Sequence, residues 1–287
     1  MKTYSLFRGG DYTLNMKKII LSGAIGFFLL GCSSSPEVLV EEQPAAGSGP
    51  TSTVFPAAST APSPGATPLG RPASYDRLKS YRELLALGTS GKSYNRRLEK
   101  KVSPFLVQTI HGGYTELGTT ELGDAVARDR MARYDFSALE KSSEYDDKNL
   151  TDPAYHLAAT RFDDRVLKVI SGSHDLCLGL HGFGGNEADF CIGGANLRAR
   201  EIMSRRLSEA LPTQKSCVDC CGAYSGASEK NPVNFCREKG IQIEMSAVIR
   251  RKVVEDPIYR DQLAEVIRKA MTEVLDDRPD HTNGNSN

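Results

Sequence analysis

The sequence has no excess of charge of either sign, and this absence limits what the protein can bind. Its 287 residues contain 36 Lys and Arg against 36 Asp and Glu, so the formal net charge at pH 7 is +0. Domains that bind nucleic acid are usually clearly basic, which excludes that class here. A neutral chain also has no global field that steers an anionic ligand, so local clusters of charge would have to attract one.

The sequence also has no long hydrophobic run. Its apolar stretch from Ile19 to Leu30 makes about 18 Å of helix, too short to cross a bilayer core of about 30 Å. Two lysines precede the stretch and small residues end it, which is typical of a secretory signal peptide. The ending, Gly31-Cys32, resembles a bacterial lipobox, in which the cysteine is lipidated. We therefore expect residues 1–32 to be a signal peptide that starts at Met16, with a lipid anchor at Cys32.

Large apolar residues are scarce in the next segment, residues 33–75. Eight of the 14 prolines lie between positions 36 and 72, among many Ala, Ser, Thr and Gly residues. Such a segment cannot bury enough apolar surface to offset its ordering entropy, so we expect a disordered tether. With Ser33 after the lipidated cysteine, the pattern predicts a bacterial envelope protein that is anchored in a membrane, by expectation the outer one, and faces the periplasm or the cell surface.

The rest of the chain has the length and pattern of one α/β domain, residues 76–275, with a flexible polar tail at residues 276–287. About 200 residues are enough for one buried core, and no internal repeat divides them. Apolar residues recur at helical spacing in Asp76–Leu87, Leu122–Tyr134, Asp163–Ile170, Asn196–Leu211 and Pro257–Leu275. Strand-like runs alternate with them: Phe105–Ile110, Tyr155–Thr160, Leu176–Leu180, Asp189–Ile192 and Ile241–Met245. The alternation predicts a layered domain with a largely parallel or mixed sheet.

Two histidines follow predicted strands. His111 comes after one strand and His181 after another, and each is followed by glycine. Ligands of open α/β sheets collect beyond the carboxyl ends of the strands, and glycine allows the close approach of a ligand. Either histidine alone would be read as a hydrogen-bonded structural residue, but the pair indicates a site.

A carboxylate strengthens this site. Glu116 follows His111 after a Gly-Gly pair, which predicts a loop that can turn both side chains to one point. Two imidazoles and one carboxylate form a known catalytic zinc set, so we take His111, Glu116 and His181 as candidate Zn²⁺ ligands. The alternative for Glu116 is a favourable position near a helix N-terminus. Glu121 fits that alternative better and is left out of the site.

A second carboxylate, Glu244, lies in the apolar strand Ile241–Met245. A buried acid is rare unless it is paired or functional, and partial desolvation would raise its pKa towards the range of a general base. The alternative is an edge strand whose polar residues, Gln242, Glu244 and Ser246, alternate with apolar ones and face water. Periodicity alone does not separate the two.

Six short motifs occur in an order that resembles the poly-γ-glutamate hydrolases of bacteria and their phages. They begin at His111, Arg161, Leu180, Ile192, Asn234 and Gly240, and the similarity covers most of Phe105 to Arg251. The resemblance implies a zinc carboxypeptidase-like fold, with a mixed, mostly parallel sheet in a three-layer α/β arrangement. It implies Zn²⁺ on His111, Glu116 and His181, with Glu244 as general base and acid.

The same resemblance bears on three further residues. Arg250 follows the last motif and Arg237 ends the one before it, so each is a candidate contact for a substrate carboxylate. The alternative for both arginines is a solvated surface charge. His156 lies where family members also tend to carry a histidine, and it could support the ligands or simply be a core residue.

The implied function is an endo-acting zinc amidase that cleaves γ-glutamyl amide bonds, above all those of poly-γ-glutamate, and acts as a monomer. Zinc lowers the pKa of bound water to about 7 and polarises an amide carbonyl. Two alternatives stay open. One is a cell-wall amidase that acts on the γ-glutamyl link of peptidoglycan stem peptides, and the other is a catalytically inactive envelope-binding lipoprotein.

The cysteines indicate disulfides. Apart from Cys32 there are six, an even number, in a chain whose signal directs it to an oxidising compartment. They are Cys177, Cys191, Cys217, Cys220, Cys221 and Cys236. A second metal site at 217–221 has no partner motif to complete it. Cys177 and Cys191, on consecutive predicted strands, are one candidate bridge, while Cys236 could also be a structural thiol.

Overall fold

A computed structural model describes residues 77–184 and 188–277, with only the backbone course at residues 219–221. The predicted signal peptide with Cys32, the tether and nearly all of the tail lie outside the described residues, as do the side chains of Cys220 and Cys221. Within the described ranges, no helix combines the length and the apolar character needed to cross a membrane.

The described part contains six α-helices and seven strands. The helices are α1 (Tyr81–Ala86), α2 (Thr119–Ala127), α3 (Arg165–Gly172), α4 (Leu197–Ala210), α5 (Ala247–Glu255) and α6 (Pro257–Asp276). The strands are β1 (Tyr94–Glu99), β2 (Phe105–Gly113), β3 (Ala132–Ala138), β4 (Leu176–Phe183), β5 (Phe190–Gly193), β6 (Ser216–Cys217) and β7 (Gly240–Ser246).

The strands form one sheet in the order β1-β3-β2-β4-β7-β5-β6. The four strands β3, β2, β4 and β7 run parallel, whereas β1 is antiparallel to β3 and β5 is antiparallel to β7. The predicted mixed, mostly parallel sheet of a zinc carboxypeptidase-like fold is thereby confirmed.

Successive residues of the central strands serve two separate cores. Val107 of β2 packs in a cluster with side chains of α2, α4, α5 and α6, while its neighbour Leu106 packs on the other face with α1 and α3. Side chains of a strand alternate between faces, so a strand covered by helices on both sides is apolar throughout. The sheet therefore lies between two helical layers.

Two predicted elements are wrong. The helical pattern over Leu122–Tyr134 joins a helix to a strand: α2 ends at Ala127, Arg128 has a positive φ of 44°, and β3 begins at Ala132. All seven residues of β3 are buried, so it shows no alternation that could distinguish it from a helix. The predicted strand Tyr155–Thr160 is instead a connection between two short 3-10 turns, Pro153–Tyr155 and Ala159–Arg161, the first capped by the Asp152 side chain.

The candidate bridge between Cys177 and Cys191 is also wrong. Cys177 is bonded to Cys236, with their Cα atoms 5.6 Å apart, so Cys236 is not a free thiol. Strand β7 lies between β4 and β5, which puts Cys191 two strand spacings, or about 10 Å, from Cys177. A disulfide spans at most about 7 Å between Cα atoms. Cys191 and Cys217 each take part in a disulfide as well.

Candidate metal centre

Three neighbouring parallel strands carry the predicted site to one edge of the sheet. His111 lies on β2, His181 on β4 and Glu244 on β7, each near the carboxyl end of its strand. His181 and Glu244 are direct partners in the register of β4 and β7. Both histidines lie inside their strands, because β2 and β4 extend three residues beyond their predicted ends at Ile110 and Leu180.

A bulge in β2 turns His111 towards its partners. Thr109 pairs with Asp135 and Gly112 with Ser137, so β2 uses three steps where β3 uses two. The side chain of Ile110 packs in the same core as Leu106, and strict alternation would point His111 to the opposite face. One extra residue re-aims the next side chain, and bulges often serve this purpose beside active sites.

The glycines after His111 let the chain return towards the histidine. Gly113 has a φ of 60°, and a Cβ atom there would lie 2.1 Å from the carbonyl oxygen of Ala138, so only glycine fits. The chain then turns, and Glu116 pairs with Thr151 in an isolated bridge. Five residues along the sequence thus bring the Glu116 carboxylate back beside the His111 ring.

Three side chains place ligand atoms around one point. His111 Nδ1 lies 2.9 Å from Glu116 Oε1 and 3.1 Å from His181 Nδ1, and His181 Nδ1 lies 3.5 Å from Glu116 Oε2. All three side chains are buried. Zinc with tetrahedral bonds of 2.0–2.2 Å keeps its ligand atoms about 3.3 Å apart, so this set fits such an ion.

Hydrogen bonding prepares His111 as a ligand. Its Nε2 atom lies 2.7 Å from the carbonyl oxygen of Leu157, which can only accept a hydrogen bond. Nε2 therefore carries a proton, and Nδ1 is the ring atom that faces Glu116 and His181. Metal-binding histidines commonly donate their second N–H to a carbonyl or carboxylate in this way.

A fourth buried group, His156, adjoins the three. Its Nε2 atom lies 3.7 Å from Glu116 Oε1, and its ring centroid lies 4.2 Å from that of His111. His111, Glu116 and His156 offer ligand atoms within 4.8 Å of one another, so a second possible set shares two members with the first. We favour His181 as the third ligand because its Nδ1 faces the Nδ1 of His111, whereas His156 lies beside that ring.

Glu116 is held as a carboxylate. Its burial raises the pKa, but the adjacent imidazoles of His111 and His181 outweigh this effect and set the pKa well below its usual range. The backbone N–H of Gly182 also donates to Glu116 Oε2 at 2.8 Å. A charged oxygen ligand is thus available between two imidazoles, as a divalent cation requires.

Glu244 is buried in the interior of the sheet. Its side chain is 1% exposed, and β7 lies between β4 and β5, which excludes the solvent-facing edge strand that the alternating sequence also allowed. Gln242 Nε2 donates to Glu244 Oε1 at 2.7 Å, and Asn231 Nδ2 donates to Gln242 Oε1 at 2.7 Å. A carboxylate held beside the candidate metal ligand His181 can exchange protons with a bound reactant.

Sequence reasoning missed Gln242 and Asn231 as members of this site. The sequence assigns Gln242 no role of its own, and the edge-strand alternative would face it to water. The glutamine itself could have indicated this role. In a buried strand, an amide two residues before a carboxylate must find its hydrogen-bond partners inside the protein, and the carboxylate is within reach. Asn231 lies outside any motif and only the fold brings it to Gln242.

Burial closes the Arg250 side chain off from contact with a substrate. Its side chain is fully buried and donates to the carbonyl oxygens of Met245, Leu117, Leu150 and Asn149. The predicted contact with a substrate carboxylate is corrected accordingly: the guanidinium ties the loop around residue 150 to the start of α5.

Arg237 lies at the wrong edge of the sheet for the predicted role. Its Nη1 atom pairs with Asp175 at 2.9 Å, and its backbone N–H donates to the carbonyl of His174. Both partners precede Leu176, where β4 begins, while His181 is near the other end of that strand. Five residues of strand separate the two edges by about 17 Å, so Arg237 does not reach the site.

The sequence matches the family described as poly-gamma-glutamate hydrolase over residues 78–275. Two relatives come from Bacillus subtilis. The UPF0714 protein YmaC is 27% identical over 202 residues, which cover 68% of this chain and 78% of YmaC. The UPF0714 protein YndL is 30% identical over 154 residues, covering 53% of this chain and 56% of YndL, so that match spans little more than half of the relative.

Two solved structures share the fold. A bacteriophage poly-gamma-glutamate hydrolase superposes with a TM-score of 0.62 at 22% identity, covering 71% of this chain and 100% of the phage protein. The zinc-free apo form of YndL gives a TM-score of 0.57 at 21% identity, covering 70% of this chain and 98% of YndL.

Proposed function

The chain belongs to the poly-gamma-glutamate hydrolase family, and from this premise we propose that it is a zinc-dependent amidase that cuts γ-glutamyl amide bonds within poly-γ-glutamate. The observation that carries the proposal is the set of three ligand atoms on His111, Glu116 and His181, with Glu244 in register beside His181. The relative YndL, whose apo form is described as zinc-free, supports zinc as the metal.

His111, Glu116 and His181 would hold the ion. Zinc in such a set supplies a coordinated water of pKa about 7 and an electrophile for the amide oxygen. Glu244 accepts the proton of the attacking water at its carboxylate and then delivers it to the departing amine nitrogen. Gln242 holds that carboxylate in place, and Leu157 holds the His111 ring in the ligating tautomer.

Substrate and location follow from the same proposal. Each γ-glutamyl link carries an α-carboxylate beside the scissile amide, so the enzyme has to tolerate a dense row of negative charge. An enzyme lipid-anchored at Cys32 and held away from an envelope membrane by residues 33–75 would meet such a polymer outside the cytoplasm. We expect it to act there as a monomer.

The test combines metal analysis with product sizing. The purified full-length protein should contain about one zinc per chain and shorten high-molecular-weight poly-γ-glutamate, as followed by size-exclusion chromatography. A protein that is free of metal and inert on the polymer would contradict the proposal. A zinc-containing protein that ignores the polymer but releases peptides from purified cell wall would instead be a cell-wall amidase.

A further inference from the structure

A cavity of about 600 Å³, lined by positively charged side chains, lies at the surface. Its lining includes three surface cations, Lys148, Arg251 and Lys252, and one carboxylate, Glu255, whose Oε1 lies 3.9 Å from Arg251 Nη1, so the cations outnumber the carboxylate. We call this cavity the basic groove. A neutral protein that gathers three cations around one cavity has a local field of the sign that attracts a polyanion.

The basic groove lies at the same edge of the sheet as the metal centre. Gly184 in its wall is three residues past His181, and Ala247 in its wall is three residues past Glu244. Three residues of extended chain span about 10 Å. The groove thus begins about 10 Å from the reacting groups, a distance that neighbouring units of a bound polymer would cover.

The loop that carries Lys148 is tied to both the groove and the site. Arg250 donates to the carbonyl oxygens of Asn149 and Leu150, and Arg251 Nη2 donates to the carbonyl of Asp147 at 2.9 Å. The same loop pairs with the metal-ligand candidate Glu116 through Thr151. Lys148 is therefore held next to α5 by a fully buried arginine, and the groove has a fixed wall.

We propose that the basic groove binds α-carboxylates of the γ-glutamyl chain beyond the scissile bond, so that a long polymer is held at two places. This inference rests on the proposed function, because it assumes the same substrate. A membrane rich in anionic lipid could also attract these cations, but the groove is a recess that continues the site's own strands and loop. That placement favours a ligand shared with the site.

The test compares a long polymer with a short one. In K148Q/R251Q/K252Q, we expect kcat/KM for high-molecular-weight poly-γ-glutamate to fall about tenfold more than kcat/KM for a γ-linked tetraglutamate, since each exposed ion pair contributes a fewfold. The KM of the wild-type protein for the polymer should rise with salt, and the variant should respond less. K148Q/K252Q keeps the Arg251 bond to the loop and should show a smaller effect in the same direction.

The control variant K100Q/K101Q/R130Q removes the same charge from exposed residues at the edge where β2 and β3 begin. It should leave the preference for the polymer unchanged. Equal losses on both substrates, or a control that matches the groove variant, would overturn the groove. Loss of binding to phosphatidylglycerol vesicles with an unchanged preference for the polymer would assign the cations to a membrane and also overturn it. A wild-type protein inert on both substrates would refute the proposed function itself.

Discussion

Gln242 Nε2 donates a hydrogen bond of 2.7 Å to Glu244 Oε1, and the geometry of its other partners fixes the direction of that bond. The backbone N–H of Val233 donates to Asn231 Oδ1, which turns Asn231 Nδ2 towards Gln242 Oε1. Since Oε1 of Gln242 accepts from Asn231, the amide nitrogen must face Glu244. A backbone donor therefore determines how the proposed general base is held.

Replacement of Gln242 by leucine should lower kcat and leave KM and zinc content close to those of the wild type. Hydrogen bonds to charged groups contribute about 1.5–3 kcal/mol, which corresponds to a ten- to hundredfold fall in kcat if the bond serves the reaction. Steady-state kinetics with poly-γ-glutamate and metal analysis check this. N231A, which frees the Gln242 amide to flip, should give a smaller loss of the same kind.

A matched control is Gln108, a second buried glutamine on the same face. Its Nε2 atom donates to Ser171, Cys177 and the carbonyl of Pro232, and it has no contact with Glu244. Q108L and Q242L should both lower the melting temperature, because each removes buried hydrogen bonds, but Q108L should keep kcat. An equal loss of kcat in both variants would mean that Gln242 serves only the packing of the sheet.

Replacement of Glu244 by glutamine should reduce kcat by at least a hundredfold while zinc stays bound. General acid–base groups contribute about 10²–10⁴-fold, and the substitution preserves shape but removes proton transfer. E121Q is the matched control, because Glu121 accepts from the N–H of Gly118 at the start of α2, as expected for a residue near a helix N-terminus. If E121Q loses as much activity as E244Q, Glu244 is not the base.

Much of the layer order was readable from the sequence, because it depends on local pattern. Helix α4 begins at Leu197 and α6 at Pro257, each within one residue of the predicted start, and both begin next to a side-chain cap, Asn196 or Asp256. Strand β3 was not predicted, because it is buried on both faces and its sequence therefore lacks the alternation of polar and apolar residues. Short strands such as β6, with two residues, carry too little pattern to detect.

The sequence predicts the site residues whose type alone indicates their chemistry, but it does not predict those whose role depends on their position in the fold. The types of His111, Glu116 and His181 suggested a metal set, yet nothing local predicts the bulge that aligns the first of them. Arginines carry no such signal, since charge favours a surface reading equally for Arg237 and Arg250. Only the fold shows that Arg237 lies at the far edge of the sheet and that Arg250 is buried.

The third metal ligand can be identified by comparing H181A with H156A. Because His181 Nδ1 faces His111 Nδ1 at 3.1 Å, H181A should lose zinc on dialysis, and H111A should do the same. H156A should keep zinc with an affinity lowered about ten- to hundredfold, as for residues that support a ligand. Zinc titration followed by calorimetry measures both. The opposite result would make His111, Glu116 and His156 the ligand set.

Reduction of the bond between Cys177 and Cys236 should destabilise the domain strongly. The bridge closes a loop of 59 residues and ties β4 to the turn before β7. By loop entropy, such a bridge contributes about 4 kcal/mol to the free energy of unfolding. Urea denaturation of C177A/C236A measures the loss, with mass mapping of the remaining bridges. A stability within 1 kcal/mol of the wild type would indicate that strain or residual structure cancels the effect.

Replacement of Arg250 can distinguish a structural role of this residue from a role in substrate binding. It is fully buried, donates to four carbonyl oxygens, and lies so close to Gly182 that a Cβ atom there would approach the guanidinium within 2.3 Å. Lysine cannot reproduce this fork of donors, and the unsatisfied buried carbonyls would cost several kcal/mol.

The free energy of unfolding of R250K, measured with urea, should therefore be about 3 kcal/mol lower than that of the wild type. Any folded R250K should keep its KM for γ-linked tetraglutamate, a substrate that does not depend on the basic groove. The neighbouring R251K is the matched control, because Arg251 lies at the surface and its replacement should cost less than about 0.5 kcal/mol. If R250K instead kept full stability and raised the KM for tetraglutamate, the guanidinium would contact the substrate after all, and the loop around residue 150 would have to open for it.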